Sequence, residues 1–242
     1  MRAWYQNNSI WQETASLSEA LGLRDFNKGV IAVIGAGGKT SAIFQLSSEL
    51  AGRELKVIIT TTTRMFREPG VLATTPKEAT ELLVHQSVVI AGRPTEDGKI
   101  AGLVEEQVKE LSQIADVVLV EADGSKHYPL KVPAAHEPVI PSGTDRIILV
   151  AGLSGIGAEL SECCHRAELV SELLEIPMNH SIRYEDIGRM IMKGYLERRI
   201  PDQSKVTVLL NQADDTELHK AGERIAKLLT PDPCVIAKLK EK

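Results

Sequence analysis

Gly35-Ala36-Gly37-Gly38-Lys39-Thr40-Ser41 sets small residues ahead of a lysine and two hydroxyls, a spacing that suits a polyphosphate. Glycines let the backbone turn tightly with its N–H groups inward, and a helix opening there turns its positive end to the same spot. Lys39 would reach the β- and γ-phosphates as a point charge, and Thr40 would place its hydroxyl on a Mg2+ ion bridging the same oxygens. The match is to G-x-x-G-K-T, since the longer G-x-x-x-x-G-K-[ST] pattern asks for glycine where Val33 stands. A dinucleotide fingerprint is the rival. It needs a small residue in place of Thr40 and an acid after the second strand, yet Lys56 to Thr60 runs into Thr61, Thr62, Thr63 and Arg64. That disfavours NAD and leaves NADP, with Arg64 on a 2′-phosphate.

A second group of candidates is acidic. Val117 to Val120 is apolar and ends in Glu121, with Asp123 and Gly124 next. A carboxylate at such a strand end can hold magnesium or position an attacking water, and two carboxylates this close repel unless a cation lies between them. Near the C-terminus, Val206 to Leu210 leads into Asn211-Gln212-Ala213-Asp214. There Asp214 could accept hydrogen bonds from guanine N1 and N2, for which adenine has no equivalent donors, so ATP and GTP both remain candidates. Thr62 and Arg64 stand where a magnesium-sensing loop would follow the second strand. His136-Glu137 and Cys163-Cys164-His165-Arg166 could be ligands, but neither has zinc-site spacing, and a packed helix start is the plainer reading of the cysteine group.

These residues need a scaffold. Val30 to Ile34 reads as a parallel strand covered on both faces, and Ile43, Phe44, Leu46 and Leu50 follow at helical spacing. Further strand-like runs at Val57 to Thr60, Val88 to Ala91, Val117 to Val120, Ile147 to Val150, Val206 to Leu210 and Val235 to Ala237 alternate with helical ones. The pattern predicts an α/β fold, a P-loop NTPase-like three-layer sandwich with a mainly parallel sheet and helices on both faces. We expect one such domain over residues 1–242, with an N-terminal helical preamble at 1–28 and a helical insertion at 151–200. Within that insertion the helices span about Ser161 to Leu174 and Tyr184 to Tyr195. A hairpin is expected to turn at Asp97-Gly98, and Asp123 to Thr144 reads as a long functional loop.

Composition narrows the function. The chain has 242 residues, 43% of them hydrophobic, enough for a sizeable core. A net charge of -5 without a lysine or arginine block argues against nucleic acid as a partner. No apolar run reaches bilayer length and Met1 to Asn8 carries no signal pattern, so the expectation is a cytoplasmic protein with no membrane partner. Its three cysteines include an adjacent pair and do not suggest a disulfide framework.

Taken in order, the glycine loop, Thr-Thr-Thr-Thr-Arg-Met, Val-Glu-Ala-Asp-Gly-Ser, His136-Glu-Pro-Val-Ile-Pro141, His165-Arg166 and Leu-Asn-Gln-Ala-Asp resemble the selenium-dependent molybdenum hydroxylase accessory family, YqeC. The resemblance covers nearly the whole chain. It implies a P-loop protein linked to maturation of a selenium-containing molybdenum cofactor, with a molybdenum hydroxylase or cofactor-maturation protein as partner. It also implies that His136, Glu137, His165 and Arg166 form a second site facing the phosphates. Gln212 departs from the family by replacing an expected lysine.

The resulting expectation is a nucleoside triphosphatase in which Lys39 and Mg2+ stabilise the transferring phosphoryl group and Glu121 or Asp123 holds metal or water. Two other readings stay open. One is a transferase or ligase that activates a small acceptor, because the loop spacing also resembles that of peptidoglycan-precursor ligases. The other is a nucleotide-gated chaperone.

Overall fold

A computed structural model describes residues 1–7, 10–66, 69–200 and 202–239. Among them the main sheet has ten strands, which run from edge to edge as Ile10–Thr14, Arg2–Asn7, Cys234–Lys238, Val206–Asn211, Arg146–Gly152, Gly29–Gly35, Val117–Glu121, Val57–Thr61, Val88–Ala91 and Leu72–Ala73. The strands from Cys234–Lys238 to Leu72–Ala73 pair in parallel, and only the N-terminal hairpin is antiparallel. All the parallel strands therefore end on one side, where ligands of open α/β sheets bind.

The strand Gly29–Gly35 lies near the middle and is apolar on both faces. Ala32 and Ile34 enter one core, whereas Ile31 and Val33 enter the other, as the alternation of a strand requires. Helix Lys39–Ala51 covers the second face with Ala42, Ile43, Leu46 and Leu50 buried, and Thr216–Leu228 packs on the first. The chain is thus a P-loop NTPase-like three-layer α/β sandwich.

The N-terminal segment departs from a helical preamble. Arg2–Asn7 and Ile10–Thr14 are strands, and Arg2–Asn7 pairs with Cys234–Lys238, so this segment extends the sheet. Helix is confined to Leu17–Ala20, whose Ser16 side chain caps it by accepting from the Glu19 N–H. Polar residues alternating about Trp4 and Trp11 suit a strand pair at a sheet edge with one solvated face.

The insertion is also more broken than its periodicity predicts. Helix Leu160–Cys163 stops at a two-residue strand, Cys164–His165, which pairs in parallel with Leu130–Lys131 of the long loop. Arg166 then takes a left-handed conformation, φ 59, before helix Ala167–Leu174. The second expected helix runs as Tyr184–Arg189 and continues as a π-helix over Met190–Leu196. The three cysteines are unpaired and buried. The hairpin at Asp97-Gly98 forms, and its strands Arg93–Pro94 and Lys99–Ala101 join Arg64–Phe66 in a three-stranded sheet above the crevice. Among the described residues, no helix is long and apolar enough to cross a membrane.

Candidate functional site

The glycine loop leaves the central strand between Gly152 and Glu121, because its two sheet neighbours are Arg146–Gly152 and Val117–Glu121. Gly37 has φ 85, and a Cβ there would lie 2.3 Å from the Gly152 nitrogen. Gly38 has φ 119 and is pressed as closely by the Asn211 amide. Only glycine serves at either position. No side chain caps the helix that opens at Lys39, so its first-turn N–H groups face the crevice, as those of any uncapped helix do.

Around this mouth lies a cleft of about 1010 Å³. Gly37, Gly38, Lys39, Thr40, Ser41, Glu121, Asn211 and Asp214 line it, joined by Arg64, Glu137, His165 and Arg166. Gly35 and Ala36 lie behind the loop with their N–H groups committed, Gly35 to Asp123 and Ala36 to the Val150 carbonyl. Three expected residues are elsewhere, the first being Asp123, which is buried beneath the loop and so does not reach metal or water in the cleft. Thr62 donates its hydroxyl to the Val139 carbonyl and does not line the cleft, and His136 is exposed away from it. His136 stands one residue beside Glu137, which does line the cleft, and neighbouring side chains point apart.

Thr40 and Glu121 meet directly. The threonine hydroxyl donates to Glu121 Oε2 at 3.0 Å. Burial pushes the Glu121 carboxyl above its ordinary range, against the opposing pull of Lys39 and Thr40. Hydroxyl and carboxylate oxygens beside unpaired N–H groups form a donor set suited to a hard divalent cation carrying phosphate.

Beneath the loop runs a chain of buried charge. Lys39 Nζ donates to the Gly35 carbonyl at 2.8 Å and to Ser125 Oγ at 3.0 Å, and it lies 3.3 Å from Asp123. Asp123 is wholly buried and outside the cleft lining. On its other side Lys131 lies 3.3 Å away. Lys131 bridges to Glu137 at 2.8 Å, and Glu137 takes a two-pronged pair from Arg166. The buried Tyr195 phenol sits close by, pushed well up by burial and by Asp123 and Glu137. Asn211 holds the loop from the far side, donating to the Gly37 carbonyl at 2.8 Å.

Lys131, Ser125, Tyr128 and Tyr195 were missed by sequence reasoning. The available signal was Lys131 itself, a lysine between Leu130 and Val132 in a loop with no obvious surface face. The cysteine pair, by contrast, packs into the core beside Val170 and Leu174.

Glu137 carries a pH consequence. Burial raises its pKa, but the hydrogen bonds from Arg166 and Lys131 outweigh that and hold it at about 2, below the ordinary 4.5. A depressed carboxylate stabilises the fold fully above its ordinary value, and that stabilisation is lost as pH falls from about 4.5 toward 2. Glu137→Gln is therefore expected to lower stability at neutral pH and to flatten the acid limb. Circular dichroism across that window checks it, and an unchanged acid limb would show that Glu137 adds nothing.

A strand, a glycine loop and a helix, with an acid at the neighbouring strand end, define this chain as a P-loop-type α/β protein. More narrowly, it belongs to the YqeC family. The model of that family, described as YqeC protein, matches residues 31–168. The YqeC protein of Escherichia coli (strain K12) is 34% identical over 175 residues, which cover 67% of each chain. Among solved structures, FlhF complexed with GMPPNP and Mg2+ is similar with a TM-score of 0.46 and 16% identity, over 88% of this chain and 66% of that one. The receptor FtsY from Elizabethkingia anophelis gives 0.43 and 18%, over 97% of this chain and 70% of its own.

Proposed function

We propose that this chain binds a nucleoside triphosphate with Mg2+ and hydrolyses its terminal phosphoanhydride, as an accessory factor in maturation of a selenium-dependent molybdenum hydroxylase or its cofactor. The observation that carries the nucleotide reading is the Thr40 hydroxyl at 3.0 Å from Glu121, at the mouth of an uncapped helix with Lys39 beside it. The maturation context rests on the family resemblance.

In this reading, Thr40 and Glu121 are the groups that would hold Mg2+, which when bound neutralises the phosphate oxygens and polarises the terminal phosphorus. The N–H groups of Gly38, Lys39, Thr40 and Ser41 orient the phosphate tail. Lys39 shifts from the Gly35 carbonyl to the phosphate oxygens and stabilises the charge that gathers on the bridging oxygen. Water oxygen bonds to the terminal phosphorus as the bond to the bridging oxygen breaks, leaving diphosphate nucleotide and orthophosphate. Asp123 positions Lys39 from beneath. Asp214, on the cleft wall beyond Asn211, is the candidate for reading guanine.

Calorimetric titration with ATP and GTP, with and without Mg2+, tests this. Asp214→Ala is expected to weaken GTP and leave ATP unchanged, and equal losses would remove the guanine assignment. Glu121→Gln should hold or raise the melting temperature without ligand, because a buried charge is removed. It should also lower Mg2+-dependent phosphate release by roughly 10²-fold. Phosphate release that survives the substitution would sink the metal role of Glu121.

A further inference from the structure

We propose that Tyr128, His165 and Arg166 form a subsite for a second ligand, a planar ring bearing a carboxylate or phosphate, which occupies the cleft together with the nucleotide. The inference rests on the nucleotide reading above.

His165 is 8% exposed and lines the cleft, yet among the described residues neither ring nitrogen has a hydrogen-bond partner. Its ring nitrogens are not sealed in the interior, so they open onto the cleft, where a ligand can reach them. Burial first, then Arg166, Lys131 and Lys126, push its pKa down, which keeps the imidazole neutral and able to accept as well as donate.

The neighbours define the ligand. The Tyr128 ring lies nearly parallel to His165, with centroids 6.1 Å apart and planes at 16°, presenting flat apolar surface beside the open nitrogens. Arg166 adds charge and direction. Glu137 grips the guanidinium on one edge, and the side chain remains 30% exposed, so its free donors face the cleft in a fixed orientation. Around the His165 ring itself the charge is mainly positive, with Arg166, Lys131 and Lys126 acting on it against Glu137.

The placement is also specific. The Tyr128 carbonyl accepts the Gly37 N–H at 3.2 Å, which sets this wall directly against the glycine loop. His165 is held there by register, since Cys164–His165 pairs with Leu130–Lys131. Asn211, Gln212 and Asp214, which mark the base side, line the same cleft. A cleft of about 1010 Å³ is at the upper end for small-molecule sites and has room for two ligands.

The test uses the full chain with ring-labelled histidine, saturated with Mg2+ and a non-hydrolysable triphosphate analogue whose own binding is measured first by calorimetry. Isonicotinate serves as planar anionic probe and orthophosphate as non-planar control. Isonicotinate is expected to shift the His165 resonance, assigned by its loss in His165→Ala, while the analogue stays bound. Arg166→Ala should weaken the probe by about 10-fold or more and change nucleotide affinity by less than about 3-fold. Arg166→Lys, which keeps a cation over Glu137 but loses the planar fork, should fall between and covers the case in which the alanine variant does not fold. Displacement of isonicotinate by the analogue, equal shifts with orthophosphate, or no shift with either overturns the subsite. If the analogue itself gives no heat, the nucleotide reading fails, and the same probe titration on the ligand-free chain still decides the wall on its own.

Discussion

Lys39→Ala is expected to abolish measurable binding of both ATP and GTP. Its ammonium is the cation nearest the helix mouth, 3% exposed, and held by the Gly35 carbonyl, Ser125 and Asp123. Each charge-assisted hydrogen bond to a phosphate oxygen contributes about 1.5–3 kcal/mol, so losing two costs roughly 10²- to 10⁴-fold in affinity. The methylene stem matters less than the charge. Lys39→Met should therefore bind as poorly as the alanine variant, whereas Lys39→Arg should recover part of the loss. Calorimetry with and without Mg2+ checks this. Retention of affinity within about 3-fold in the alanine variant would mean that N–H groups alone hold the phosphates.

Asp123→Ala is expected to produce the largest stability loss of any single carboxylate substitution in the chain. Its side chain is wholly buried between Lys39 and Lys131, each 3.3 Å away, and it accepts the Gly35 N–H at 3.0 Å. Removing one member of a buried charge cluster leaves the others uncompensated and costs about 3–5 kcal/mol. For a domain of this size that corresponds to a fall of roughly 6–20 °C in melting temperature. Asp123→Asn keeps an acceptor for Gly35 but not the charge, and should fall between. A melting temperature within about 2 °C of the parent in the alanine variant would show that Lys39 and Lys131 are satisfied by Ser125, Gly124 and Glu137 alone. The two substitutions also separate two roles of one cluster: Lys39 acts mainly on ligand, and Asp123 on the pose of Lys39.

Much of the frame was legible because it depends on near neighbours in sequence. Apolar runs at period two and period 3.6 mark the parallel strands and the helix after the loop, and Gly37 and Gly38 declare backbone conformations that other residues resist. Glu121 was legible as a strand-end acid, and the parallel register with Val33 brings it to the loop. The N-terminal hairpin was not. Its short polar strands carry little periodic signal, and what makes them strands is the open edge of Cys234–Lys238. The break at Cys164–His165 escaped notice for the same reason, since a partner strand in a distant loop overrides a helical pattern.

By itself, the sequence determined the α/β alternation, the glycine loop with Lys39 and Thr40, and the acid that follows the neighbouring strand. Only the tertiary structure decided that Asp123 lies under the loop between two lysines, that Lys131 is buried, and that Thr62 and His136 point elsewhere. Arg166 meets Glu137 across 29 residues, and such pairings are set by which surfaces exclude water together. Local propensity acts over a few residues, whereas buried ions must find their partners wherever the packed chain supplies them.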